Sequence, residues 1–291
     1  MDQRNNKLGW LFTSPYLIYS LIFFFVPLVW SFFLSVTDWN LIAPIFNFVG
    51  FGNFLDALRS PGVHAAFWVT YKFMMIFVPL VTVLATGVAV LVHGLKRFKN
   101  LFLIGFFLPY LSSGVVSALI VKGLLSYNSP VNTFLRGFGI DIDWLGTPLS
   151  ALFVIGLILA WKFTGYYALI LTSGLESIDK EVYEAAAIDG VKDSQRFWRI
   201  TLPLLYPALY TTLILAFGVT FGIFTEVYQL TGGGPQNATN TWQMEIFRQA
   251  FANLQAGYAS AVALLASAAT FLSIFVIRKL LELWGKRNGW V

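Results

Sequence analysis

The chain contains no cysteine, which excludes disulfides, thiolate catalysis and Cys-ligated metal. Its two histidines, His64 and His93, lie far apart in sequence and form no ligand spacing, so no metal site is expected. Charge is scarce: 11% of residues are Asp, Glu, Lys or Arg, against about 25% in a soluble domain. A phosphate loop of the form G-x-x-x-x-G-K-[ST] is missing, because Gly285-Lys286 is followed by Arg287 and lacks the upstream glycine. The apolar stretches hold almost no Asp or Glu, which counts against proton-coupled transport. No His or carboxylate cluster has catalytic spacing, which counts against a membrane enzyme.

What is abundant is apolar side chain: 57% of residues are hydrophobic and 18% aromatic. They fall into long blocks, as expected where a lipid bilayer is the solvent. Six segments, near 10–34, 67–92, 101–124, 149–171, 204–224 and 258–281, are long enough to cross about 30 Å of hydrocarbon. They are expected to be helices, since strict alternation is absent and lipid leaves no partner for unpaired backbone. Pro15, Pro27, Pro79 and Pro109 predict kinks within or near these spans. The first block is too long for a cleaved signal peptide and is read as a retained span. The whole chain, 1–291, is expected to form one transmembrane domain, with no soluble domain and no visible repeat.

Lys and Arg orient the spans. One set of connecting segments holds Arg4, Lys7, Lys96, Arg97, Lys99, Lys180, Lys192, Arg196, Arg199, Arg278, Lys279, Lys286 and Arg287. The opposite set holds Arg59, Lys122, Arg136 and Arg248, a ratio of 13 to 4. The first set is therefore cytoplasmic, and an even number of spans puts both termini there. The net charge of +5 follows from this bias and implies no nucleic-acid partner. Trp10, Trp30, Trp39, Trp68, Trp144 and Trp284 fall near the predicted interfaces, where aromatic belts form.

The inner segment 173–203 is unlike the others, because it mixes both charge signs: Glu176, Asp179, Lys180, Glu181 and Glu184, then Asp189, Lys192, Asp193, Arg196 and Arg199. It reads as two short helices bent at Gly190, a residue free to take positive φ. Asp179 or Ser177 can cap the first helix, where Ala185, Ala186 and Ala187 present a small face. The second runs from about 193 to 200, with Phe197 and Ile200 sharing a face, and Pro203 opens the fifth span. Such a hairpin, joined stiffly to two spans, is suited to docking in a groove of another protein.

These residues resemble a known motif. Glu184-Ala185-Ala186, Asp189-Gly190, then Phe197, Ile200, Leu202 and Pro203 are similar to the EAA loop of permease subunits of bacterial ABC importers. Val191 departs from the alanine many members carry. Leu230-Thr231-Gly232-Gly233-Gly234-Pro235, Thr239, Thr241, Ala250-Phe251 and Gly257-Tyr258-Ala259-Ser260-Ala261 further resemble carbohydrate permeases of the maltose and glycerol-3-phosphate type. The resemblance implies an all-α, type I importer permease fold in the bacterial inner membrane, with six transmembrane helices and a coupling helix between spans four and five. It also implies an ATP-driven importer for a sugar, oligosaccharide, polyol or sugar phosphate. The partners would be a second, similar but distinct permease, two ATPase subunits holding ATP and Mg, and an external solute-binding protein. The chain itself would carry no cofactor.

On this reading Glu184, Ala185, Ala186, Asp189, Gly190, Phe197 and Pro203 couple to the ATPase, while Gly232, Gly233, Gly234, Pro235 and Thr239 are candidates for docking the binding protein. Substrate-path candidates are Lys162, Thr220, Gly222 and Glu226. Positions 218, 220 and 222 serve close helix packing equally well. Glu226 is expected at the outer edge of the membrane, and Tyr166-Tyr167 as lining of the path or in lipid contact. For Lys162, midway along the fourth span, two readings stand. It donates to substrate, or it makes an ion pair or carbonyl contact with a neighbouring chain or snorkels.

Overall fold

The computed structural model describes residues 3–42, 44–95 and 97–290; Lys96, one of the basic residues used for orientation, lies outside them. The helices in chain order are α1 (Gln3–Ser20), α2 (Val26–Ser35), α3 (Gly52–Arg59), α4 (Pro61–His93), α5 (Lys99–Leu111), α6 (Gly114–Leu125), α7 (Pro130–Arg136), α8 (Pro148–Glu176), α9 (Lys180–Ile188), α10 (Asp193–Arg196), α11 (Leu202–Leu204), α12 (Tyr206–Phe221), α13 (Thr225–Leu230), α14 (Trp242–Phe247) and α15 (Ala256–Arg287). A π-helical turn, Leu21–Phe25, joins α1 to α2. It sits just before Pro27, whose missing N–H leaves the Phe23 carbonyl without its α-helical donor.

Four runs are long and apolar enough to cross a membrane as single rods: Leu8–Ser35, α4, α8 and α15. Two further spans are broken, α5 with α6–α7 at 95° and α10–α11 with α12 at 68°. Pro109 predicts a kink in the first of these and Pro203 the opening of the fifth span in the second, and proline chemistry accounts for both breaks. Pro109 gives up the bond to the Gly105 carbonyl, and Ser112 and Ser113 are extended. The Ser112 hydroxyl donates to the Pro109 carbonyl at 2.6 Å and shares a 2.6 Å hydrogen bond with Ser117, so the break leaves its polar groups partnered. At the second break Pro203 and Pro207, four residues apart, remove two successive bonds. The connections expected as outer loops contain α3, α7, α13 and α14.

The chain divides into two units, residues 1–64 with 245–268 and residues 65–244 with 269–291. In the first, the segment after α2 folds back on itself. Asn53 donates to the Ser35 and Thr37 carbonyls at 2.9 and 2.7 Å, and Gly257 N–H donates to the Trp39 carbonyl at 3.0 Å.

The second unit is organised around α8, the most buried of the long helices. Its inward seam of Ile155, Leu159, Tyr167, Leu171 and Leu175 packs with Phe73, Phe77 and Val81 of α4 and with Leu205, Leu209 and Ala216. Lipid offers no hydrophobic drive to hold helices together, so close approach of small residues takes its place. A Cβ at Gly165 would collide with the Phe106 carbonyl of α5, and one at Gly174 would meet the Ala208 methyl at 2.6 Å.

Candidate functional site

Two features of the second unit stand out, an elbow between α8 and α12 and a buried ion pair. The elbow is built from the C-terminal end of α8 onward. The Ser177 hydroxyl donates back to the Gly174 carbonyl at 2.7 Å, closing α8 instead of capping α9. Asp179 holds the cap position of α9 without a side-chain cap bond. The end of α9 is more strongly determined. Gly190 takes φ +69°. Its N–H donates to the Ala187 carbonyl at 3.1 Å, and the Val191 N–H reaches the Ala186 carbonyl at 3.0 Å. These two bonds make a Schellman motif, whose turn residue must be left-handed and is usually glycine. The chain then enters α10, whose first N–H region is closed by the Gln195 side chain accepting from Lys192 N–H at 3.3 Å. A π-helical turn, Phe197–Thr201, follows.

Arg196 ties the elbow together. It pairs with Asp193 at 2.8 Å and lies 6.0 Å from the Tyr183 ring. A cleft of about 490 Å³ separates the elbow from the C-terminal end of α4, lined by Val90, His93, Tyr183, Arg196, Phe197 and Thr201. Lys99 pairs with Glu176 beside it. Ala186 is buried, while Glu184, Ala185, Ala187 and Asp189 are exposed. Ile188, an aliphatic side chain, is 87% exposed, and Trp198 is also exposed. Phe197 and Pro203 are half-buried. The elbow therefore offers an outward face of small, acidic and aliphatic residues on a stiff frame.

The second feature was only half visible in the sequence. Lys162 donates to Glu226 Oε1 at 2.9 Å, and the two residues are only 8% and 7% exposed. Glu226 was expected at the outer edge of the membrane, and Lys162 either as a donor to substrate, in an ion pair or carbonyl contact with a neighbouring chain, or snorkelling. Instead α13 folds back beside α6 and inserts Glu226 next to Lys162. The turn at Gly222–Phe224 makes this possible by ending α12 and redirecting the chain. Gly114, the first residue after the break of the third span, backs onto the pair. A Cβ there would lie 3.0 Å from Glu226 Oε1 and 3.3 Å from Lys162 Nζ.

The other path candidates are quieter. The buried Thr220 hydroxyl donates to the Ala216 carbonyl of its own helix at 3.0 Å. A Cβ at Gly218 would meet nothing within 4 Å and one at Gly222 only the Val219 carbonyl, so neither marks a close approach within this chain. Tyr167 is fully buried, and Tyr166 stacks on Tyr110 at 4.6 Å.

In the turn after α13, Gly232 and Gly233 both have positive φ, at +58° and +93°. Gly232 is exposed, Gly233 is buried, and Gly234 and Pro235 are half-buried. Thr239 is buried; its hydroxyl donates to the Gly234 carbonyl at 2.7 Å and shares a hydrogen bond with Thr231. Thr241 donates to the Ile223 carbonyl at 2.9 Å and the Trp242 indole to the Phe221 carbonyl at 2.8 Å, tying the turn onto the end of α12.

Comparison with known proteins places this architecture. Residues 5–284 match the family model described as binding-protein-dependent transport system inner membrane component. The chain is 32% identical to the multiple sugar-binding transport system permease protein MsmF of Streptococcus mutans, over 90% of each chain. It is 33% identical to the trehalose/maltose transport system permease protein MalF of Thermococcus litoralis, over 85% of this chain and 84% of that protein. One chain of the crystal structure of a bacterial alginate ABC transporter, in complex with an alginate pentasaccharide-bound periplasmic protein, shares the fold. Its TM-score is 0.82 at 20% identity, covering 94% of this chain and 93% of that one. The chain therefore belongs to the family of inner-membrane components of binding-protein-dependent transport systems, the multi-pass permease subunits of ABC importers.

Proposed function

We propose that this permease imports a sugar, oligosaccharide or related polyol or sugar phosphate. Relatives at 32% and 33% identity carry the names of multiple-sugar and trehalose/maltose systems, and their coverage extends over nearly the whole chain. The whole chain acts as one permease domain with both termini in the cytoplasm. It works beside a second, similar but distinct permease, two ATPase subunits that bind ATP and Mg, and an external solute-binding protein.

The observation that carries the coupling role is the elbow. The helix α9, with exposed Glu184, Ala185 and Ile188, follows the buried α8 and ends at exposed Asp189 in a Schellman turn at Gly190, and the chain re-enters the membrane through Pro203. The sequence itself has no phosphate loop. The energy source therefore sits on a partner, and the elbow passes its movement to spans four and five. Glu184, Ala185, Ala186, Asp189, Gly190, Phe197 and Pro203 form the coupling surface and its frame. Gly232, Gly233, Gly234 and Pro235 form the outer docking turn for the binding protein, with Thr239 bracing it from beneath. Lys162, Thr220, Gly222 and Glu226 border the substrate path, where the Lys162–Glu226 pair favours a structural over a direct sugar-binding part for Lys162.

The test is co-purification and reconstitution. The complex should retain ATPase subunits, hydrolyse ATP in response to loaded binding protein, and take up the solute that protein retains. Glu184→Lys should abolish stimulation while leaving the permease in the membrane. Solute movement by this chain without any nucleotide-hydrolysing subunit would falsify the assignment.

A further inference from the structure

We propose that Lys162, Glu226 and Gly114 form a latch that holds one access state of the transport cycle, an inference that rests on the ATP-driven cycle proposed above. The three residues come from elements with different mechanical freedom. Lys162 stands at the centre of α8, an unbroken rod that runs into the elbow. Glu226 stands in the first turn of α13, beyond the chain reversal that ends α12. Gly114 stands at the 95° break of the third span. The pair thus bridges a rod that runs into the elbow to a segment past the end of α12, with the break of the third span packed against it.

The surroundings show that this contact is built for proximity. Gly114 leaves room for both charged groups, since a Cβ there would approach Glu226 Oε1 and Thr225 as well as Lys162 Nζ. Farther along, Lys122 of α6 donates to the Gln229 carbonyl of α13 at 3.0 Å, a second tie between α6 and α13. Two buried opposite charges contribute little net stability compared with apolar residues of similar size; their better-attested use is to specify one arrangement over another. Each charge is satisfied by the other in the arrangement described here, so an uncharged solute finds no free ion at this point. Parting of α8 from α13 would break the ion pair and open the span between them.

The absence of cysteine makes the latch directly testable. In the full complex in nanodiscs, Lys162→Cys with Glu226→Cys places the only two thiols on this chain. Bridging by a short bis-thiosulfonate reagent should fall about fivefold when the complex is trapped with ATP and vanadate. The bridge should also block solute-stimulated ATP hydrolysis until it is reduced. Equal bridging in both states overturns the latch. Nucleotide retained in the trapped sample is measured separately, so failure to trap counts against the ATP-driven cycle itself. A packing-preserving variant, Lys162→Met with Glu226→Leu, should raise ATP hydrolysis in the absence of binding protein about fivefold. The reversed pair, Lys162→Glu with Glu226→Lys, should bring it back to within about twofold of the original. An unchanged basal rate in the apolar variant, with a higher half-saturating solute concentration, would identify the pair as a solute contact and overturn the proposal.

Discussion

A side chain at position 190 would have to sit at φ +69°, where L-residues other than glycine lose roughly 1–2 kcal/mol. Space is not the obstacle, since a Cβ there would meet nothing within 4 Å. Gly190→Val is therefore expected to loosen the end of α9 by about that amount while leaving the membrane helices intact. Stimulation of ATP hydrolysis by loaded binding protein should be lost with normal permease levels in the membrane; full stimulation in that variant would remove the bend from the mechanism. A second residue effect is set by pH. Arg136 and Tyr127 hydrogen-bond Asp141 at 2.9 and 3.0 Å and hold its carboxyl below its usual value. Because the folded-state pKa is the lower one, the tie to α7 is fully present above the ordinary carboxylate range and is lost as pH falls through the folded pKa. Hydrogen exchange in α7 should accelerate on acidification, and Asp141→Asn should remove that pH dependence.

At the scale of the element, helix contacts in lipid depend on how closely backbones approach. Gly165 of α8 sits against the Phe106 carbonyl of α5, and the obstructing atom is backbone, which cannot swing aside. Gly165→Leu should cost at least about 1–3 kcal/mol by overpacking and appear as reduced thermal stability in detergent. Gly105→Ala, on the facing helix but with nothing within 4 Å of the added Cβ, should be tolerated. The two broken spans follow a related logic. A proline removes a donor, a helix joint forms, and the Ser112 hydroxyl partners the Pro109 carbonyl at the joint.

For the whole molecule, the arrangement rests on orientation, and the cysteine-free sequence allows a clean measurement. Ile188→Cys on the elbow and Phe138→Cys in the connection after α7 both replace exposed side chains. A membrane-impermeant thiol reagent applied to intact cells should label position 138 and leave position 188 unlabelled until the membrane is opened. The reverse pattern would place the elbow outside and end its role in coupling.

Much of this was determined by the sequence alone, because the bilayer imposes simple rules. Long apolar blocks mark helices, and glycine after a short amphipathic stretch marks a left-handed helix end, as Gly190 does. The motif around Glu184 and Gly190 likewise depends on local spacing and was legible without coordinates. The break at Ser112–Ser113 was less so: Pro109 announces a kink, but its size depends on which neighbours absorb the freed backbone groups. The meeting of Lys162 with Glu226, 64 residues apart, was decided only by the tertiary structure. A buried charge must find a partner, but which one it finds depends on the reversal of the chain after α12, a matter of three-dimensional packing that no local pattern encodes.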